Sequence, residues 1–146
     1  MKIPPDTETF KYFNANPEGN HTTDCVVRAI CMALGESWED ISRALSEFAI
    51  SNSMSPCDPK LYEKFLYSIG VAKRSQLRKE NGKKYTAGEF AKLKWVESRT
   101  VIAHVGSHHL SCFKDGKLLD IWDGSNKCVG NYWIVSCASI PSSRTK

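Results

Sequence analysis

Thr23-Asp24-Cys25-Val26-Val27-Arg28-Ala29-Ile30-Cys31-Met32-Ala33-Leu34-Gly35 reads as an apolar helix with a cysteine in its opening turn. Asp24 is an N-cap residue type and Gly35 a C′ residue type, so the spacing predicts a helix over 25–34. Arg28 is its one charge, and a helix apolar nearly all round belongs inside a domain. The rest of the chain must pack around it. A thiol in the first turn lies at the positive end of the helix dipole, where unpaired N–H groups favour thiolate over thiol. Asp24 works in the opposite sense, because a neighbouring carboxylate opposes a second negative charge. Cys25 is therefore the first candidate nucleophile, but cysteine is also a common inert core residue, so it needs partners.

More helices follow outward from this one. Ser37 caps a helix from Trp38 to about Ile50, with Trp38, Ile41, Leu45 and Phe48 at three- and four-residue spacing. Asp58-Pro59 supplies an N-cap and a proline at N1 for a third, marked by Leu61, Phe65 and Ile69 and stopped by Gly70. Thr86-Ala87-Gly88-Glu89 matches a capping box and opens a short helix through Phe90 and Leu93. The period then changes. Residues 100–105, 109–114, 117–123 and 129–135 read as strands, with Asp115-Gly116 as a two-residue hairpin turn. Helices first and antiparallel strands after define an α+β pattern in one domain over 1–146. Its parts are an irregular lead-in over 1–23, a helical part over 24–94, a β-sheet part over 100–135 and a frayed polar tail over 141–146. The lead-in is rich in Pro, Asn, Gly and Thr and is tied down by Phe10, Tyr12 and Phe13.

At 146 residues, 41% hydrophobic and 25% charged, the chain has enough material for a core without disulfide staples. No stretch reaches the roughly 18 apolar residues of a membrane helix, and residues 1–13 lack the apolar run of a signal peptide, so a cytoplasmic protein without membrane contact is expected. Cysteines at 25, 31, 57, 112, 128 and 137 then read as free thiols. They form no Cys-x-x-Cys pair, and the histidines at 21, 104, 108 and 109 have no zinc spacing. Neither a metal nor another cofactor is expected. The net charge of +4 is mild. Lys73, Arg74, Arg78, Lys79, Lys83 and Lys84 cluster around the single acid Glu80, but without interleaved aromatics they read as a solvated connector and not a nucleic-acid surface.

The hairpin supplies partners for Cys25. With Asp115-Gly116 as the loop, Lys114 pairs with Lys117, Ser111 faces Asp120, and His109 faces Trp122. Alternation puts His109, Ser111, Phe113, Leu118, Asp120 and Trp122 on one face, with His108 and Asp123 on the other. A carboxylate diagonal to a histidine can hold the tautomer that presents a free nitrogen to a nucleophile. Burying the first helix against this sheet would bring Cys25 to His109.

The order of a helix-start Cys, a strand-start His and an acid on the next strand resembles the papain-like cysteine peptidases. Asp120-Ile121-Trp122-Asp123-Gly124 is similar to the Asn-Ser-Trp-Gly run of that family, whose Asn orients the histidine. A closer resemblance is to small cysteine-peptidase-like proteins frequent in bacteriophages and bacterial mobile elements. It rests on Thr22 to Ala29, Tyr85 to Phe90, His109, Asp120 to Asp123 and Tyr132-Trp133. It implies a papain-like fold, with N-terminal helices on an antiparallel C-terminal sheet, and a Cys25, His109, Asp120 triad. Asp123, Trp122 and Asp24 are secondary site candidates. Papain relatives carry a Gln six residues before the Cys to bind the oxyanion, and that position here is Gly19. Asn20 with the Cys25 N–H is the substitute, with Asn14 and Asn16 in reserve.

The function expected from these residues is hydrolysis of an amide or related acyl bond in a protein or peptide substrate. The same triad serves acyl transfer of the transglutaminase type. A papain-like scaffold that binds a host or phage protein without catalysis is the alternative from another class, and nucleic-acid binding ranks third.

Overall fold

A computed structural model describes residues 2–135. The expected tail over 141–146 and Cys137 lie outside the described residues. Helix α1, Cys25–Leu34, has the predicted bounds. Its C-terminus closes as the sequence implies, with Gly35 in the left-handed region at φ 69° and its N–H donating to the Cys31 carbonyl. The start differs from expectation, because the Asp24 side chain does not cap the helix and is engaged elsewhere. Ser37 does cap α2, Trp38–Ser51, by accepting from the Asp40 N–H. Helix α3, Leu61–Ser68, begins later than Asp58-Pro59 suggested. Asp58 instead closes a turn by accepting from the Lys60 N–H at 2.9 Å. The capping box of Thr86 and Glu89 is present and opens α4, Ala87–Ala91. A separate short helix, α5, Lys94–Glu97, follows.

These five helices accompany a six-stranded mixed sheet among the described residues, an α+β architecture. The strands are β1 Phe10–Tyr12, β2 Lys73–Arg74, β3 Thr100–Val105, β4 His109–Lys114, β5 Lys117–Asp120 and β6 Val129–Val135, in the order β1-β5-β4-β3-β6-β2. Two of these correct the sequence reading. Strand β1 lies inside the supposedly irregular lead-in and pairs parallel to β5, so the sheet is not wholly antiparallel. Strand β2 comes from the basic connector and pairs with β6, while Lys73 and Lys79 meet Glu63 and Glu89.

The hairpin register is the one its turn demands: Lys114 pairs with Lys117, Phe113 with Leu118 and Cys112 with Leu119. Asp115 and Gly116 both have positive φ, 53° and 76°, as a tight two-residue turn requires. Strand β5 stops at Asp120, three residues earlier than predicted, where Asp120 Oδ1 accepts from the Ile121 N–H at 2.7 Å and the chain bends away.

Both faces of the sheet are covered. Ile102, Leu110, Trp133 and Val135 pack with Ala29, Ile30 and Cys31 of α1, with Ile41 and Leu45 of α2, and with Phe65 and Leu66 of α3. From the other face Val101, Ala103, Phe113, Leu118 and Tyr132 meet Phe90 and Ala91 of α4, Val96 of α5, and Phe10. Fully buried Trp133, Phe90 and Phe113 anchor the two cores, each such side chain contributing about 1.5–3 kcal/mol by removal from water. Helix α1 packs chiefly along β4 and reaches β5. Its first turn is thereby held at the end of the sheet where β4 begins and β5 ends.

Candidate active site

Cys25 is half-buried at the start of α1, and His109 is half-buried at the start of β4. The two side chains are hydrogen-bonded. His109 Nε2 lies 2.5 Å from Asp120 Oδ2, so the nitrogen left for the thiol is Nδ1. The three residues the sequence selected are thus brought together in the expected order. Asp120 is 4% exposed and holds four donors: His109 and the Ser111 hydroxyl on Oδ2, the Ile121 N–H on Oδ1, and the Arg28 guanidinium 3.6 Å from Oδ1. A carboxylate so surrounded keeps its geometry. Strand β1 braces it further, since Tyr12 is the register partner of Asp120 and the Phe13 N–H donates to its carbonyl at 2.9 Å.

The electrostatics follow from these contacts. Burial pushes the Cys25 thiol up, but hydrogen bonds from His109 and the Leu110 N–H, with the charges of His109 and Arg28, outweigh it and bring the thiol below its ordinary 9.0. Burial pulls His109 down, yet the hydrogen bonds to Asp120 and Cys25 and their negative charge raise it to about 9. Both shifts act in the same sense, favouring a thiolate paired with an imidazolium over the neutral pair. Cys31, deeper in the same helix, shows the contrast: burial and the charge of Asp24 raise its thiol to about 12. Cys112, enclosed in the sheet, is likewise raised to about 12 by burial.

Asp24 does not burden the thiolate as its position in sequence suggested. Its carboxylate pairs with Arg28 and accepts from Trp38 Nε1 at 2.8 Å and Asn16 Nδ2 at 3.4 Å. Arg28 lies between Asp24 and Asp120, 5% exposed, with its Nε left without an acceptor among the described residues.

Trp122 stands over His109, ring centroids 5.1 Å apart and planes at 78°. Together with Thr22, Thr23, Ile121 and His108, these residues line a cavity of about 510 Å³ that opens onto Cys25. His108 is a correction: it occupies the turn before β4, where strand parity no longer applies, and lines the same cavity as His109. Asp123 stands apart, accepting from the Ser125 N–H and hydroxyl in a local turn.

The asparagines proposed for the oxyanion do not line this cavity. Asn14 Nδ2 donates to the Asn20 carbonyl, and Asn16 Oδ1 accepts from the Glu18 and Asn20 N–H groups, so their side chains shape the lead-in loop. Asn20 itself is exposed in that loop. The Cys25 N–H, in the first turn where no intrahelical carbonyl is available, is the one donor of that expectation still at the site.

Ser111 and Arg28 were not singled out for the site from the sequence. The signal for Ser111 was its register opposite Asp120, and for Arg28 its being the lone charge in an apolar helix. No group of three or more His, Cys, Asp or Glu side chains among the described residues is disposed to hold a metal, and no helix among them is long and apolar enough to cross a membrane.

Comparison of the chain with protein-family models, with curated proteins and with solved structures finds no match.

Proposed function

We propose that the protein is a papain-like thiol hydrolase that cleaves an amide or related acyl bond in a protein or peptide substrate. The observation that carries this reading is His109, hydrogen-bonded at one nitrogen to the Cys25 thiol and at the other to buried Asp120. A hydrogen-bonded thiol and imidazole with the base oriented by a third group is the arrangement nucleophilic catalysis requires. The Cys25 thiolate attacks the carbonyl carbon, and the carbonyl oxygen takes up the negative charge. Collapse of this intermediate expels the amine, which receives the His109 proton, and leaves a thioester on Cys25. Neutral His109 then takes a proton from water as it attacks the thioester, and returns it to the sulfur when the acid departs. Asp120 keeps Nδ1 directed at the reacting atoms and balances the imidazolium charge.

The test is labelling by iodoacetamide at pH 6.5 with peptide mapping. Cys25 should be modified well ahead of exposed Cys57 and Cys128, and Cys25→Ala should remove that fast phase alone. Equal labelling of Cys25 and Cys57 would show that the site does not activate its thiol, and would sink the proposal.

A further inference from the structure

A second pair of polar side chains lies outside the group formed by Cys25, His109 and Asp120. The Tyr62 hydroxyl on α3 is hydrogen-bonded to His104 Nε2 on β3. The strand order β5-β4-β3 sets His104 one strand beyond β4, and His104 is the register partner of Leu110. Leu110 is the residue whose N–H donates to the Cys25 sulfur. The charge of Cys25 in turn acts on the Tyr62 hydroxyl, so this pair is near the sulfur. Tyr62 lines a second cavity of about 280 Å³ with Thr23, Val26 and Val27, and Thr23 also lines the cavity that opens onto Cys25.

The pair is rigidly placed. Trp133, fully buried, meets the Tyr62 ring at 5.7 Å and the His104 ring at 5.4 Å, both edge-on, and the Tyr62 and His104 rings are themselves 5.9 Å apart. The steps assigned to Cys25, His109 and Asp120 make no use of either member. Meanwhile that chemistry lacks a second oxyanion donor, since the candidate asparagines are turned to the lead-in loop.

We infer that the Tyr62 hydroxyl is that donor: His104 Nε2–H holds the phenol oxygen, and the phenol proton is directed at the substrate carbonyl oxygen alongside the Cys25 N–H. This rests on the reading of Cys25 as an acyl-accepting nucleophile. The protonation states suit the role. Burial lowers His104 below its ordinary value, so the imidazole is neutral, and burial with the charges of Glu63 and Cys25 pushes Tyr62 up to about 12, so the phenol keeps its proton. A neutral donor of this kind costs no ion desolvation in the ground state and gains strength as charge develops on the oxygen.

The experiment compares two reactions of the same sulfur in wild type and Tyr62→Phe. Acylation by p-nitrophenyl acetate passes through an oxyanion, whereas alkylation by iodoacetamide displaces iodide at a saturated carbon and makes none. Tyr62→Phe should slow acylation of Cys25 about 100-fold and leave alkylation within about twofold. His104→Ala should slow acylation about tenfold through loss of positioning, again sparing alkylation. Acylation unchanged in Tyr62→Phe overturns the inference. So does an equal fall in both reactions, which would place the hydroxyl's effect on the thiolate. If wild-type Cys25 is neither acylated nor alkylated faster than Cys57, it is the hydrolase reading that fails.

Discussion

Gly124 and Trp122 occupy the same space: a Cβ on Gly124 would lie 2.5 Å from Trp122 Cζ3 and 2.9 Å from Cη2. The ring could not stay where it is if residue 124 were anything larger. Since that ring stands edge-on to His109, a glycine with no chemistry of its own controls how the His109 imidazole is covered. Gly124→Ala should displace Trp122, admit water to the His109–Asp120 bond and slow Cys25 acylation by about tenfold, as small displacements at an active site do. The change should appear together in tryptophan fluorescence and in the acylation rate. A slowed enzyme with an unmoved Trp122 would refute the link.

The pH dependence follows from the two shifts. Cys25 is brought below 9.0 and His109 raised to about 9, so the ion pair persists between the two. Turnover should be bell-shaped, with its alkaline limb near pH 9, where His109 loses the proton the leaving amine needs. Alkylation requires only thiolate and should show no alkaline fall. The stability effect has a definite sign. A histidine raised from 6.5 to about 9 stabilises the fold fully below 6.5, and that gain is lost as pH rises through 9. The lowered thiol acts in reverse, adding stability as pH rises towards 9.0, so it offsets part of that loss in wild type. In Cys25→Ala only the histidine remains, its shift now due to Asp120. The urea midpoint of that variant should fall more steeply above pH 6.5 than that of wild type.

What the sequence made legible were features with local causes. The Asp115-Gly116 turn fixes the register that sets Asp120 diagonal to His109, but α1 packs on the Leu110 face and not on the Phe113 and Leu118 face that alternation shares with His109. The three-residue strand β1 left no trace beyond its aromatics, because so short a strand exists only where β5 is there to receive it. Asp24 looked like a helix cap because caps are local and frequent. It instead answers to Arg28 and to Trp38, 14 residues away, which no local rule exposes. The oxyanion asparagines failed for a related reason: asparagine in a Pro- and Gly-rich lead-in prefers its own backbone, and that preference shapes the loop.

Arg28 should be required for folding as well as for the site. It is buried between Asp24 and Asp120, and truncating it leaves the buried Asp24 carboxylate without its cation and Asp120 with His109 alone. Arg28→Met, which keeps the stem and removes the charge, should cost about 3–5 kcal/mol in denaturant unfolding, as breaking a buried pair does. A cost below about 1 kcal/mol, the value of a surface pair, would mean that Asp24 and Asp120 find compensation elsewhere.

Ser111 offers the finest control over His109. Its hydroxyl and His109 Nε2 share Asp120 Oδ2. Ser111→Ala removes one donor from that oxygen and concentrates its charge on the imidazolium, so the His109 proton should be held more tightly. The alkaline limb of turnover should move above its wild-type position near 9, and alkylation of Cys25 should scarcely change, because the thiolate keeps its own donors on His109 and the Leu110 N–H. Loss of one hydrogen bond to a buried charge should cost about 1.5–3 kcal/mol of stability. NMR titration of the His109 ring in both proteins measures the shift directly. A limb that moves to lower pH would show that the hydroxyl supports the imidazolium and does not compete with it for Asp120.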